Sequence, residues 1–182
     1  MSERILLVDD EPGILRALQR LLRHGLPAYA IETFADAAAA LNRARECAFA
    51  LVVSDYRMPG MSGVEFLQAL RELQPDCARI ILSGYADLNG LVAAINEAEI
   101  SRFISKPWTD HELLCTLRQV LRIRELALEN QRLADLVRLQ SGQLSAQEAE
   151  LRRLERLEPG ITQVKWGADG SFILEDPSEP SS

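Results

Sequence analysis

Near its N-terminus the chain reads ILLVDDEP over residues 5–12. Four consecutive apolar residues are typical of a strand that is buried on both faces of a parallel sheet. Pro12 stands where the first turn of a helix tolerates proline, and apolar residues follow it at helical spacing. Asp9 and Asp10 are therefore predicted to lie between a buried strand and a helix.

The same alternation of strand and helix continues to about residue 110. The next four strands are predicted at 29–34, 51–53, 80–82 and 103–104. Helices are predicted between them, the first of them with Asp36 as its N-cap and the last over residues 87–98. Strands that alternate with helices predict an α/β fold with a doubly wound parallel sheet, in which ligands bind at the carboxyl ends of the strands.

Polar side chains stand at the carboxyl ends of four predicted strands. Asp9 and Asp10 follow the first strand, Asp55 the third, Ser83 the fourth and Lys106 the fifth. If the first and third strands are neighbours, three carboxylates converge, and their repulsion calls for a cation such as Mg²⁺. A carboxylate beside Mg²⁺ can attack a phosphoryl group and form an aspartyl phosphate. The lysine and the serine would then contact the phosphoryl oxygens.

Each of these residues also has an ordinary structural explanation. Asp9 and Asp10 could begin a helix, and Asp55 could belong to a turn. Ser83 could cap a helix, and Lys106 could be a surface lysine. Their joint placement at four strand ends favours a site, because unrelated structural roles would not gather there.

Residues 3–122 resemble the receiver domain of response regulators in bacterial two-component signalling. The matching motifs are ILLVDDEP at 5–12, VSDYRMPGMSGVEF at 53–66, ILSGYAD at 81–87 and FISKPW at 103–108. The resemblance implies a flavodoxin-like receiver over residues 1–122, with five parallel strands in the order 2-1-3-4-5. It also implies Mg²⁺ as cofactor and a histidine kinase as partner.

The resemblance assigns the phosphoacceptor and the metal ligands. Asp55 is implied to be the phosphoacceptor. Asp10 and Asp55 are implied to bind Mg²⁺ directly, together with the backbone carbonyl of Arg57. Asp9 is implied to act on the metal largely through water.

The resemblance also assigns the residues that respond to phosphorylation. Lys106 is implied to bind the phosphoryl group, Ser83 to be the switch hydroxyl and Phe103 to be the switch aromatic residue. Arg57 and Tyr85 occupy the positions that influence how fast water removes the phosphoryl group. Because both side chains are bulky, we expect a long-lived phosphorylated form.

A long helix is predicted to continue from the fifth receiver helix. Between Trp108 and Glu158 the chain has no proline and one glycine, Gly142, and it is rich in good helix formers. A heptad frame over 123–158 predicts a homodimeric coiled coil, parallel or antiparallel, in which Asn130 is a polar core residue that fixes register. Its core positions are Leu126, Asn130, Leu133, Val137, Gln140, Leu144, Gln147, Leu151 and Leu154. The alternative is a single helix that folds back on the receiver.

The C-terminal part is predicted to contain a β-hairpin and a tail. Two strand-like runs flank GADG at 167–170, which predicts a hairpin over 159–176. The sequence PSEPSS at 177–182 predicts a disordered tail.

Composition excludes several classes of protein. The 182 residues are 47% hydrophobic and 26% charged, which is typical of a globular protein, and no apolar run is long enough to span a membrane. The net charge of −7 disfavours sequence-independent DNA binding. Three cysteines without a CxxC motif, together with two histidines, disfavour a disulfide framework or a Cys-rich zinc site. The N-terminus lacks a signal-peptide cleavage site, so we expect a cytoplasmic protein.

The sequence defines the part of the protein that passes the signal on less well than it defines the receiver. Residues 83–108 resemble receivers attached to HD-GYP phosphodiesterases and to hydrogenase regulators, but the motifs of those outputs do not follow residue 111. We expect a dimeric regulator, not an enzyme, that acts through an unidentified downstream protein, without nucleic acid or membrane. The alternative is a phosphatase or phosphotransferase that uses an aspartyl nucleophile on small phosphate esters.

Overall fold

The computed structural model describes residues 3–84 and 99–140, together with Glu150, Arg153 and Leu154. The helix predicted over 87–98, the hairpin and the tail lie outside the described residues. The elements within them are β1 (Arg4–Val8), α1 (Pro12–Gly25), β2 (Ala30–Phe34), α2 (Ala37–Glu46), β3 (Leu51–Asp55), α3 (Gly63–Leu73), β4 (Ala78–Gly84), β5 (Arg102–Lys106) and α4 (Asp110–Gln140). The fifth helix of the sequence prediction is therefore α4 in this numbering.

The five strands form one parallel sheet in the order β2-β1-β3-β4-β5, which confirms the predicted flavodoxin-like receiver fold. The register pairs Val8 with Ser54, and Ser83 with Ser105. The carboxyl ends of β1, β3, β4 and β5 therefore lie side by side at one edge of the sheet. The polar residues that follow these strands are brought to this edge.

Helices cover both faces of the sheet, as a doubly wound fold requires. Successive side chains of a strand point to opposite faces. Ile5 and Leu7 of β1 accordingly pack in a core with α1 and α4, whereas Leu6 and Val8 pack in a second core with α2 and α3. All four side chains are fully buried, and this explains the unbroken apolar run at the start of the sequence.

Local sequence determines where the helices begin. The carboxylate of Asp36 accepts a hydrogen bond from the backbone N–H of Ala39 at 2.7 Å, which confirms the predicted N-cap of α2. Pro12 lies in the first turn of α1, as predicted. Ser62 and Glu65 form a capping box at the start of α3, in which each side chain bonds the other residue's backbone N–H. A cap of this kind contributes about 1 kcal/mol.

A buried amide holds two loops together at the amino edge of the sheet. The side chain of Gln74 donates hydrogen bonds to the carbonyls of Ala44 at 2.6 Å and Cys47 at 2.9 Å, and it accepts one from the N–H of Phe49 at 2.8 Å. The end of α3 is thereby joined to the connection between α2 and β3.

The helix α4 begins inside the domain and leaves it at the amino edge of the sheet. Leu113 and Leu117 are fully buried in the core with α1. Arg124 then donates hydrogen bonds to the carbonyl of Asp76 and to the carboxylate of Glu3, both at 2.8 Å. These two residues precede β4 and β1, so α4 emerges at the edge opposite the carboxyl ends of the strands. Within the described residues, no helix combines the length and apolar character needed to cross a membrane.

Candidate functional site

A lysine amine joins two carboxylates at the carboxyl edge of the sheet. The Nζ atom of Lys106 lies 2.9 Å from Oδ2 of Asp9, and it also forms an ion pair with Oδ1 of Asp55. Asp9 and Asp55 are buried, and Lys106 is mostly covered. Residues from β1, β3 and β5 therefore meet as the strand-end argument predicts.

Backbone amides fix the second oxygen of each carboxylate. Oδ1 of Asp9 accepts a hydrogen bond from the N–H of Glu11 at 2.9 Å. Oδ2 of Asp55 accepts one from the N–H of Arg57 at 2.8 Å. Because each carboxylate is bound by both a lysine amine and a backbone N–H, neither can turn without breaking a contact.

The positive charge in this pocket does not fully offset the burial of the carboxylates. Burial raises the pKa of Asp9, and hydrogen bonding to Lys106 opposes this rise without cancelling it. Burial would lower the pKa of Lys106, but its hydrogen bonds to Asp55 and Asp9 outweigh burial, so the pKa of the amine is raised. The contacts between Lys106 and the two carboxylates therefore favour the charged form of the amine.

Ser83 contributes a buried hydroxyl that lacks a partner. The residue is 1% exposed, and among the described residues its Oγ atom has no hydrogen-bond partner. A buried polar atom without a partner costs stability, so it needs an explanation. Ser83 pairs in register with Ser105, next to Lys106, and an acceptor bound between β3 and β5 would satisfy the hydroxyl.

Gly63 allows α3 to approach the backbone of Asp55. A Cβ atom at this position would lie 1.9 Å from the carbonyl oxygen of Asp55 and 3.1 Å from Oγ of Ser54. Ser54 in turn donates a hydrogen bond to the same carbonyl at 2.9 Å. Gly63 lies within the motif at 53–66, but the motif alone does not predict this close contact.

The structure joins two of the three carboxylates that were predicted to converge through Lys106. Asp9 and Asp55 come together, but Asp10 is exposed, and no group of three acidic, histidine or cysteine residues in the described chain is placed to hold a metal. Both residues follow the end of β1 at Val8, where the chain leaves the sheet and bends at Asp10. The donor set still fits Mg²⁺, since this ion takes one or two carboxylates and keeps several waters.

Of the remaining predicted site residues, Phe103 and Arg57 lie within the described part of the chain. Phe103 is 39% exposed on β5, at the edge of the sheet, where it pairs in register with Ile81. Arg57 is exposed in the loop after β3. Tyr85 lies outside the described residues, so its predicted effect on phosphoform lifetime stays a prediction.

Comparison with known families identifies the domain. The family model of the response regulator receiver domain matches residues 5–118. The chain belongs to this family. The receiver fold and the strand-end residues thus agree with the family that the sequence motifs resemble.

Two curated relatives of this receiver are regulators. The hydrogenase transcriptional regulatory protein HoxA of Cupriavidus necator is 37% identical over 129 residues, which are 71% of this chain and 26% of that protein. The response regulator protein TodT of Pseudomonas putida is 35% identical over 127 residues, which are 68% of this chain and 54% of that protein. The chain spans about a quarter to a half of the length of these relatives.

Solved structures of receivers also match. The signal receiver domain of an HD domain-containing protein from Pseudomonas fluorescens is 41% identical, with a TM-score of 0.65, and the match covers 70% of this chain and 93% of that one. A CheY-like receiver from Methanospirillum hungatei is 30% identical, with a TM-score of 0.65, and covers 70% and 99%. The first of these agrees with the likeness of residues 83–108 to receivers of HD-type proteins.

Apolar side chains are exposed on α4 at predicted coiled-coil positions and at one further residue, Ile123. Leu126, Leu133 and Val137 are all exposed on α4. Ile123 is 55% exposed and lies one heptad before Asn130, although the sequence analysis began the seam at Leu126. Continuing the heptad one step towards the N-terminus identifies this residue from the sequence.

Proposed function

We propose that this receiver accepts a phosphoryl group on Asp55 from a histidine kinase. The observation that carries the proposal is the amine of Lys106, which contacts the carboxylates of Asp9 and Asp55 in one buried pocket. The unpartnered hydroxyl of Ser83 lies at the adjacent strand end and supports it. A pocket with an acidic nucleophile, a fixed cation and a spare donor suits a tetrahedral group rich in acceptor oxygens.

The chain's own residues account for most of the reaction. A carboxylate oxygen of Asp55 attacks phosphorus, the bond between phosphorus and the nitrogen of the kinase histidine breaks, and the nitrogen keeps the electron pair. Lys106 donates to the phosphoryl oxygens and stabilises their charge. Asp9, Asp10, Asp55 and the carbonyl of Arg57 would hold Mg²⁺, which supplies further charge neutralisation when bound. We propose no turnover of separate substrates, so the chain is a signalling domain, not an enzyme.

Phosphorylation would change the surface around β5. The new group adds charge and three acceptor oxygens, and the hydroxyl of Ser83 can move to bond one of them. Such a movement vacates space beside β5, which the exposed ring of Phe103 can fill. The result is a shift between two populated states of this face.

Phosphorylation is tested with a small phosphodonor, phosphoramidate, on the full chain. We expect the wild type to gain the mass of one phosphoryl group when Mg²⁺ is present and not when EDTA is added. Asp55→Asn abolishes the gain, whereas Asp110→Asn, an exposed aspartate at the start of α4, leaves it unchanged. Equal labelling of Asp55→Asn and wild type would refute the assignment.

The lifetime of the phosphoform is a separate measurement. The side chains of Arg57 and Tyr85 are expected to shield the phosphoryl group from water. Arg57→Ala combined with Tyr85→Ala is expected to speed its loss after the donor is removed. An unchanged rate of loss would show that neither side chain shields the group.

We also propose that the chain forms a homodimer through the exposed apolar face of α4. Val137 is 64% exposed and Leu133 is 50% exposed, which is unfavourable for a helix alone in water. Both continue the spacing that begins at Ile123, so one seam of a coiled coil would cover them. The full chain is expected to scatter light as a dimer, with and without beryllofluoride and Mg²⁺.

The dimer test uses a matched pair of variants. Leu133→Asp introduces a charge into the seam and is expected to give a monomer. Gln131→Asp introduces the same charge on an exposed position outside the seam and is expected to leave the dimer intact. A dimeric Leu133→Asp variant would contradict assembly through this face.

We further propose that the output acts through a protein partner rather than DNA. Residues 111–158 carry 8 basic and 8 acidic residues, and the whole chain has a net charge of −7. HoxA is named as a transcriptional regulatory protein, but most of its length lies outside the match. Anisotropy of a labelled DNA duplex at low salt is expected to stay unchanged on adding the phosphorylated protein, and saturable binding would contradict this proposal.

A further inference from the structure

The solvent face of α1 carries a row of cations without an acidic partner in the described part of the chain. Arg16, Arg20 and Arg23, hereafter the arginine row, are exposed and stand at positions i, i+4 and i+7 of the helix. Within the described residues, no ion pair or hydrogen bond is found for their guanidinium groups. Gln19 and His24 complete a shallow groove along the same face.

The arginine row differs from the other charged surfaces of this protein. Several other arginines form ion pairs, such as Arg43 with Glu32 and Arg124 with Glu3. The helix dipole explains cations in the last turn of α1, but it does not explain Arg16 and Arg20. Like charges four residues apart destabilise a helix, so the arginine row fits a surface that an acidic ligand covers.

The C-terminal segment of the same chain has the complementary charge. Residues 166–182 contain four acidic residues, Asp169, Glu175, Asp176 and Glu179, and no lysine, arginine or histidine. This segment therefore carries a charge of −4 out of the net −7. We propose that the acidic segment 169–179 docks on the arginine row of its own molecule.

The chain is long enough for this contact. Arg118 donates a hydrogen bond to the carbonyl of Gly25 at 3.0 Å, so the end of α1 lies beside Arg118. From there Gln140 is about 33 Å away along α4, at about 1.5 Å per residue. The 36 residues from Gln140 to Asp176 could span at most roughly 120 Å if fully extended.

A straight helix to residue 158 is the most demanding case. Its end would lie about 60 Å from Arg118, at about 1.5 Å per residue. The 21 residues from 159 to 179 reach roughly 70 Å when fully extended. Only the last acidic residues of the segment could then reach the end of α1, because Asp169, 11 residues after Glu158, extends at most roughly 40 Å. Docking of the whole segment therefore requires a helix that ends before residue 158 and an extended chain in place of the predicted hairpin.

Paired charges at an exposed surface make this a reversible contact. Guanidinium groups bind carboxylates through two parallel hydrogen bonds, which gives the arginine row its selectivity for acidic side chains. Exposed pairs are individually weak and are screened by salt. The covalent link to α4 offsets the weakness of each pair, because it keeps the acidic segment at an effective concentration on the millimolar scale. The contact does not involve phosphoryl transfer at Asp55, so either proposal can fail without the other.

Paramagnetic relaxation in the full chain tests the docking. A nitroxide is attached at Ser178→Cys in a Cys115→Ser background, because Cys115 is exposed while Cys47 and Cys77 are buried. We expect the amide signals of α1 to broaden strongly at low salt and to recover in about 0.5 M NaCl, where screening is short-ranged.

Substitutions separate the arginine row from the rest of the surface. R16Q combined with R20Q and R23Q is expected to abolish the broadening, whereas R45Q, an exposed arginine of α2, is expected to retain it. R16E with R20E and R23E also abolishes it, and adding E175K, D176K and E179K restores it. Amide spectra outside α1 report whether each variant is folded.

Two results would overturn the proposal. One is the absence of broadening in the α1 amide signals at low salt when the spin-labelled protein has its native arginines. This result does not depend on the folding of any arginine variant. The other is broadening that arises only between molecules. Mixing a spin-labelled chain at natural isotope abundance with an unlabelled, nitrogen-15-enriched chain detects that case.

Discussion

At the scale of single residues, the site depends on a few polar contacts and on close packing around Asp55. Lys106 is held by two carboxylates, and each carboxylate is also held by a backbone N–H. Gly63 is as important as the charged residues, because its missing side chain lets α3 approach Asp55. Chemistry and packing therefore act on the same acidic residue.

A methyl group at residue 63 is expected to disturb the site. Gly63→Ala places a Cβ atom 1.9 Å from the carbonyl oxygen of Asp55, so α3 or β3 must shift. Overpacking of this kind costs about 1–3 kcal/mol. We expect a lower melting temperature and slower phosphorylation by phosphoramidate.

Gly13→Ala is the matched control for this substitution. A Cβ atom at Gly13 has no neighbour within 4 Å, and alanine is the better helix former. We expect unchanged phosphorylation and a melting temperature equal to or above that of the wild type. Equal behaviour of the two variants would show that the contact at residue 63 is unimportant.

At the scale of elements, hydrogen bonds from a few polar side chains determine where helices begin and which loops are joined. The capping box of Ser62 and Glu65 begins α3 directly after the loop that follows Asp55. Gln74 joins the end of the same helix to the loop before β3. The element nearest the phosphorylation site is thus held at both ends.

The capping box predicts a pH-dependent stability. Hydrogen bonds from the hydroxyl and backbone N–H of Ser62 lower the pKa of Glu65 below its usual 4.5. A carboxyl group with a lowered pKa in the folded state stabilises the fold above that range and loses its contribution as pH falls through the folded value. Glu65→Gln is expected to lower the melting temperature at pH 7 and to have little effect near pH 3. A difference that persists at acid pH would contradict an ionic cap.

The buried amide of Gln74 predicts a large loss of stability. Gln74→Ala leaves the N–H of Phe49 and the carbonyls of Ala44 and Cys47 without their partner. Each unsatisfied buried group costs about 1–3 kcal/mol, so we expect a loss of roughly 3 kcal/mol in urea unfolding. Gln131→Ala on the exposed part of α4 is expected to change stability little. Similar losses in the two variants would argue against the buried amide as the cause.

At the scale of the whole molecule, the sequence predicts the sheet better than it predicts the site's finer geometry. The order of the strands and the placement of Asp9, Asp55, Ser83 and Lys106 follow from motifs and strand ends. The difference in exposure between Asp9 and Asp10 depends on the course of the chain after β1, which strand ends alone do not determine. Contacts between distant segments, such as Arg124 with Glu3, need three-dimensional proximity that no local pattern encodes.

Coupling across the molecule is tested at Ser83. Ser83→Ala removes a buried hydroxyl that has no partner among the described residues, and we expect it to stabilise the unphosphorylated protein by about 1 kcal/mol. We expect it still to be phosphorylated on Asp55, since the nucleophile is intact. The phosphorylated variant should not show the spectral shifts at Phe103 that phosphorylation causes in the wild type. If the phosphorylated variant shows the same spectral shifts at Phe103 as the wild type, the hydroxyl of Ser83 is not needed for the switch.

Because α4 is one continuous helix, a rotation of its embedded turns would displace its far end. Its first turns are embedded in the core, Arg124 holds it at the amino edge, and the 16 residues from there to Gln140 project about 24 Å at about 1.5 Å per residue. A tilt of about 10° in the embedded part would swing the far end by about 4 Å over that length. A small tilt of the embedded turns would thus displace the far end of α4 by about the size of a side chain. No hinge is needed, because α4 is one continuous helix over Asp110–Gln140.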